Sequence, residues 1–407
     1  MSEHDSILDR KISRRTVLQG GALVGVGAFL AACGTPSQST PPSPSPSAGA
    51  GETPAGGEQT PSDILNFANW PLYIDQDESS PPVSPTLVQF QEKHGTEVKY
   101  VEAINDNDSF FGTIQPALQA GQDTGWDLMA LTDWMAARLV RLGWVETIDT
   151  ANTPNFVANL RDVYKGVDWD PDNNLRAPWQ SGMTGLGYDR DVTGELTSLD
   201  ALWTPDARWN GKVWFLSEMR DTVGLTLLKL GYAPEDFTTE QADEAIAAIQ
   251  KAVDEGIVRS FLGNDYKEGL VKGDLVLGTA WSGDIIQAQL EKDTLQFTIP
   301  SQGGMLWTDN MQIPKGAAHK YTAELMIDWV YDPVVAAQIA AYVQYVSPVN
   351  GAKEAIAANE DPEVAALADN PLMFPDDATL QQVHIFRGLT EEEETYLNDE
   401  FSVVTGN

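Results

Sequence analysis

The chain has 407 residues, 42% of them hydrophobic, and a net charge of −35 from 60 acids against 25 bases. That length supplies one large or two medium domains, and such a charge repels nucleic acid and anionic lipid while attracting cations. A single cysteine, Cys33, excludes an intramolecular disulfide, and the four scattered histidines offer no metal-ligand spacing, so neither a zinc site nor a Cys/His catalytic site is expected.

An acidic surface also serves solubility or a saline habitat, so only particular acids are read for function. Arg14 and Arg15 open an apolar run that ends Leu30-Ala31-Ala32-Cys33. A charged start, a short apolar segment and small residues at its end make a signal peptide. The paired arginines resemble a twin-arginine export signal. Leu-Ala-Ala-Cys resembles the bacterial lipobox, which implies cleavage before Cys33 and a lipid on its sulfur. The run falls short of the ~20 apolar residues of a membrane-spanning helix. Residues 1–33 are thus expected to be a signal peptide with lipobox. Residues 34–62, rich in Pro, Ser, Thr and Gly, are expected to be a flexible tether. The mature protein would be held by lipid at the outer face of the cytoplasmic membrane.

From Ile64 the chain alternates strand and helix patterns. Ile64–Trp70 reads as a strand, Pro85–His94 as a helix closed by Gly95, Thr96–Glu102 as a second strand and Phe110–Ala120 as a second helix. Trp126–Leu131 reads as a third strand, with a helix to Leu142 after it. A loop-rich middle follows, and the pattern restarts with a strand at Lys212–Ser217 and helices at Thr222–Leu230 and Gln241–Glu255. Strands at Asp274–Trp281 and Gln296–Pro300 flank a helix at Ser282–Leu290. Helices near Thr322–Tyr331, Pro333–Tyr342 and Glu391–Phe401 end the chain. Alternation of this kind predicts a mostly parallel sheet with helices on both faces. Ligands on such sheets bind at the carboxyl ends of strands, where Trp70, Tyr73, Thr132 and Trp134 fall.

Gly303-Gly304-Met305-Leu306-Trp307-Thr308-Asp309 places an indole and a carboxylate two residues apart on an extended run, so both point the same way. That pair suits an organic cation: the carboxylate meets the ammonium and the indole adds cation–π attraction. Glu218 and Asp221, three apart at a helix start, share a face. The helix macrodipole favours acids there whatever they bind.

Asn69-Trp70-Pro71-Leu72-Tyr73, Asp127-Leu128 with Trp134, Gly278 with Trp281-Ser282-Gly283, Gly303-Gly304 with Trp307-Thr308-Asp309, and Tyr345-Val346-Ser347-Pro348-Val349-Asn350 occur in this order. Together they resemble the bacterial polyamine-binding proteins, the spermidine/putrescine receptors of ABC importers, from about Ile64 to near Phe401. The resemblance implies a two-lobed α/β fold of the type II periplasmic-binding-protein class, with the ligand cleft between the lobes. It puts 64–183 and 308–352 in lobe one, and 187–304 and 355–407 in lobe two. It also implies a ligand set of Trp70, Tyr73, Thr132, Trp134, Glu218, Asp221, Trp281, Trp307, Asp309 and Tyr345. Glu218 and Asp221 would hold one ammonium and Asp309 the other. Trp134 stands where the family usually has Tyr, Thr132 where it has Ser, and the Glu-then-Asp order is reversed. Arg220 is expected to point off the acid face and orient one of the pair. Arg387, near the site, would work against a cation and favour a shorter or differently substituted amine. A membrane permease is the implied partner, with no enzyme activity, cofactor or nucleic acid. The alternatives are the same fold binding another amine, a carbohydrate or ferric iron, or a surface lipoprotein with no small ligand.

Overall fold

The computed structural model describes residues 59–406. The expected signal peptide, the expected lipobox at Cys33 and most of the expected tether lie outside the described residues. Ten strands form one curled sheet: β1 (Ile64–Asn69), β2 (Glu97–Glu102), β3 (Leu128–Thr132), β4 (Ala177–Asp189), β5 (Val213–Leu216), β6 (Val258–Leu262), β7 (Leu277–Trp281), β8 (Leu295–Thr298), β9 (Gly304–Gln312) and β10 (Val383–His384). Their order is β2-β1-β3-β9-β4-β7-β5-β6, with β8 on β4 and β10 on β9.

The sheet is mixed rather than mostly parallel. β1 pairs in parallel with β2 and β3, and β5 with β6 and β7. The long central strands β4 and β9 run antiparallel to each other and to their outer neighbours β3, β7 and β8. Each flank thus keeps the strand–helix–strand crossovers read from the sequence. We call the β1–β3 flank the first lobe and the β5–β7 flank the second; β4 and β9 join them.

Helix boundaries follow their caps. Ser84 accepts from the Leu87 amide ahead of Pro85–His94, and Gly95 closes that helix at φ 71°. Thr238 and Gln241 form a reciprocal capping box for Thr239–Asp254, and Thr390 with Glu393 does the same for Glu391–Thr405. The sequence reading starts Met219–Leu230 three residues late, because Glu218 itself is the N-cap.

β4 is absent from the sequence reading, and its composition explains why. It carries Pro178 and three glycines, Gly182, Gly185 and Gly187, residues depleted in strands. All thirteen residues are buried, and pairing on both sides overrides propensity. Gly182 lies opposite Trp307, where a Cβ would come within 2.5 Å of the indole and 2.9 Å of the Tyr345 ring. The missing side chain lets two aromatic rings sit against the strand.

The largest apolar cluster includes Phe67, Leu128, Met135, Met311 and Met326, and reaches Trp214 and Ile285 through the β4–β9 spine. A second, with Leu186, Phe215, Val223, Ile249, Met305 and Phe401, fills the second lobe. The segment 355–407, expected in the second lobe, divides between two apolar clusters. Ile356, Val364, Ala368 and Met373 pack on Ala337 and Ala340 of the helix Pro333–Val343, and only the last stretch returns to the second lobe.

Candidate functional site

A cavity of about 610 Å³ lies between the lobes, and all ten sequence-predicted site residues line it. β9 sets its centre. Asp309 pairs in register with Thr132 of β3, and Trp307 with Gly182 of β4, so the strand carries the carboxylate to the first-lobe side and the indole toward the second. Asp309 accepts the Thr132 hydroxyl at 2.7 Å on one oxygen and the Tyr73 phenol at 2.8 Å on the other. Burial pushes its carboxyl up to about 7, against those two bonds.

The second acidic group sits at the start of Met219–Leu230. Glu218 Oε1 accepts the backbone amide of Asn107 at 2.8 Å and its side-chain amide at 3.0 Å. Burial, with the nearby Asp108, Asp106 and Asp221 charges, raises Glu218 to about 8. Asp221 accepts Thr184 Oγ1 on one oxygen at 2.5 Å and the Trp281 indole N–H on the other at 3.1 Å. Burial raises it to about 6. Thr184 in turn accepts the Trp307 indole N–H at 3.0 Å. Both indoles are thereby oriented toward the Asp221 carboxylate.

The rings form a continuous wall. Trp70 meets Trp281 edge-on at 6.2 Å, Trp281 meets Trp307 at 6.4 Å, Trp307 meets Tyr345 at 5.6 Å, and Tyr345 meets Tyr73 at 5.2 Å. Trp134 stands apart. The Arg220 guanidinium lies 3.7 Å above its ring centre, so the protein's own cation occupies one face of that indole.

Arg220 therefore does not orient Glu218 or Asp221 as expected. It bonds Glu394 on the C-terminal helix at 2.5 Å. Arg387 does line the cavity, yet its charge is met elsewhere: Glu393 holds it at 2.6 Å and its guanidinium stacks 4.3 Å from Phe237. The third arginine of the lining, Arg141, is paired with Glu394 at 3.1 Å. The repulsion expected of Arg387 is thus offset within the second lobe.

Sequence reasoning missed Asp284. It is buried in the first turn of the helix after β7, as Glu218 and Asp221 lie at the start of the helix after β5. It accepts from Tyr266 at 2.9 Å, Asn264 at 3.1 Å and Tyr345 at 3.1 Å, with the Lys267 ammonium 3.8 Å away. An acid three positions beyond Trp281 was the available signal.

Glu218, Asp221 and Asp309 differ from Asp284 in one respect. Glu218 and Asp309 are buried and Asp221 half-buried; each is hydrogen-bonded by neutral donors only and has no cationic side chain within ion-pair distance among the described residues. Two poles of carboxyl groups without a cation of the protein's own, joined by aromatic faces in a cleft between lobes, make a receptor for a small organic cation. Residues 86–366 match the family of bacterial extracellular solute-binding proteins. The chain belongs to that family.

Several proteins similar to this chain are named for polyamines. The chain is 26% identical over 322 residues to the spermidine/putrescine-binding periplasmic protein of Salmonella typhimurium, covering 79% of this chain and 85% of that protein. It is 26% identical over 333 residues to the putrescine-binding periplasmic protein of Escherichia coli, covering 76% and 83%. A solved candidate spermidine/putrescine ABC transporter protein from Listeria monocytogenes superposes with a TM-score of 0.73 at 23% identity, over 84% of this chain and 99% of that one. The two-lobed solute-binding fold is shared. Members of this family act in transport outside the cytoplasm, and no described helix is long and apolar enough to cross a membrane.

Proposed function

We propose that this protein is the receptor of an ABC importer for a linear polyamine of the spermidine/putrescine class. The observation that carries the reading is the set of three cleft carboxyls, Glu218 and Asp309 buried and Asp221 half-buried, with no cation of the protein's own in ion-pair contact among the described residues. Burying an ionised carboxylate without a partner is costly, and a diamine offers an ammonium to each pole. Its methylenes would lie along Trp70, Trp281, Trp307 and Tyr345, where apolar cover and cation–π attraction act together. The relatives' names point to the same ligand class.

Capture would proceed by lobe closure, the ligand favouring the closed form through contacts made to both sides at once. Release is to a membrane permease. Lipidation at Cys33, after export by the Arg14-Arg15 signal, would keep the receptor at the outer membrane face. No step of this cycle calls for catalysis. Titration calorimetry tests the ligand class: spermidine, putrescine or cadaverine should bind, and amino acids, sugars and ferric citrate should not. Silence toward every polyamine across the length series would overturn the reading.

A further inference from the structure

The helix Asp133–Arg141 presents Trp134, Arg138 and Arg141 at spacings of four and three residues, which places them on one face. That helix follows β3 and belongs to the first lobe. Within the first lobe, Arg138 pairs with Asp108 of the helix Asn107–Gln119 at 3.0 Å and lies 5.0 Å from the Phe111 ring. The same face also meets two side chains of the second lobe. Glu394, in the first turn of the C-terminal helix, accepts Arg138 at 3.0 Å and Arg141 at 3.1 Å on one oxygen. Its other oxygen takes Arg220 at 2.5 Å. Arg220 lies over Trp134. Glu394, Arg138 and Arg220 are nearly buried, with side-chain exposures of 7%, 11% and 9%, and only Arg141 is substantially open to water. The C-terminal helix itself is fixed to the second lobe by Leu397, Phe401 and Val404.

We propose that Glu394, which also lines the cavity, is the centre of an interlobe latch that holds the closed receptor shut. One carboxylate bonds three guanidinium groups, two from one lobe and one from the other, and Asp108 supplies a second acid to Arg138. Opening the cleft separates Glu394 from Arg138 and Arg141, and lifts Arg220 off Trp134. Arg138 keeps Asp108 of its own lobe, so the cost of opening falls on the nearly buried Glu394, which loses two of its three partners. Partners lost from buried hydrogen-bonded charge pairs act chiefly on the rate of opening rather than on encounter. The latch therefore sets how long a captured ligand stays. The Asn107 bonds to Glu218 close the same gap from the ligand side, so ligand and latch act in parallel.

The inference rests on the two-lobed fold and, for one of its readouts, on the polyamine reading. The decisive variant is Arg138→Met with Arg141→Ala. It removes the cross-lobe ion pairs, and with them the Arg138–Asp108 pair inside the first lobe, and leaves Arg220 paired with Glu394 inside the second. Its dissociation rate for putrescine should rise about tenfold or more, with the association rate changed far less. Arg138→Lys with Arg141→Lys, which keeps the charges, should restore slow release. Ligand-free small-angle scattering supplies the arm that needs no ligand: the Met/Ala variant should show the larger radius of gyration, and added salt should expand the parent but not the variant. An unchanged dissociation rate in the Met/Ala variant overturns the latch. If no polyamine binds the parent, the scattering comparison decides alone, and equal radii at every salt concentration overturn it.

Discussion

Tyr73 donates its phenolic hydroxyl to Asp309 over 2.8 Å, although the two residues lie 236 positions apart in the chain. The bond joins the loop after β1 to the strand that links the lobes. With Thr132 on its other oxygen, Asp309 is fixed by two neutral donors and left without a counter-ion.

Asp309→Asn is accordingly expected to weaken polyamine binding by about two orders of magnitude, since truncating one partner of a buried charge pair costs roughly 2–5 kcal/mol and each ~1.4 kcal/mol is tenfold. Glu218→Gln should cost less, because Asp221 remains beside it. Calorimetric affinities of the two variants check the order. A parent-like Asp309→Asn with a crippled Glu218→Gln would place the dominant pole on the second lobe.

Trp307 contributes a face to the ligand and an indole N–H to Thr184, which in turn donates to Asp221. Trp307→Leu should lose on the order of 1–2 kcal/mol of binding through cation–π attraction and cover. Thr184→Val should weaken binding through Asp221 alone, with the aromatic wall intact. Comparing the two by calorimetry separates the wall from the relay.

Burial holds three cleft carboxyls above their ordinary range, Asp221 to about 6, Asp309 to about 7 and Glu218 to about 8. A raised folded-state value means that the folded, ligand-free form holds extra protons. Their stabilising contribution is complete below the unfolded carboxyl values near ~4 and is lost as pH rises through about 6 to 8. The ligand-free melting temperature should therefore fall over that interval, and Glu218→Gln with Asp309→Asn should flatten the fall. Polyamine affinity should run the other way. Ammonium groups pair with ionised carboxylates, so binding should tighten roughly tenfold or more between about pH 5.5 and 8. Protons released on binding near pH 6.5, read by calorimetry in two buffers, give an independent check.

Gly182→Ala sets a methyl group against the rings of Trp307 and Tyr345. Overpacking of this kind typically costs 1–3 kcal/mol, so both melting temperature and affinity should drop. Gly316→Ala is the control for fold alone. It sits at φ 81° in open space, so its cost is confined to local backbone strain.

Anchoring is testable apart from the cleft. Cys33→Ser should give an unanchored or uncleaved protein, and Arg14→Lys with Arg15→Lys should block export, both read by membrane fractionation of the expressing cell. Normal export of the double Lys variant would remove the twin-arginine reading.

The sequence by itself determined the local chemistry. Alternating strands and helices, the caps at Ser84 and Thr238, the acids at the start of Met219–Leu230 and the Trp307–Asp309 pair are all set by short-range rules of spacing, propensity and capping. The ten residues that line one cavity were named by the resemblance to the polyamine-binding family, which those local patterns carry. Tertiary structure decided the rest. β4 is a strand only because β9, β7 and β8 pair with it, and its glycines are tolerated because rings need the space. The carboxyl shifts arise from burial, which no local window contains. Arg220 and Arg387 show the same limit: near the acids in sequence or family position, both are drawn away by Glu394 and Glu393 on the last helix. Electrostatic partners are chosen by distance in space, and that distance exists only once the two lobes have closed on each other.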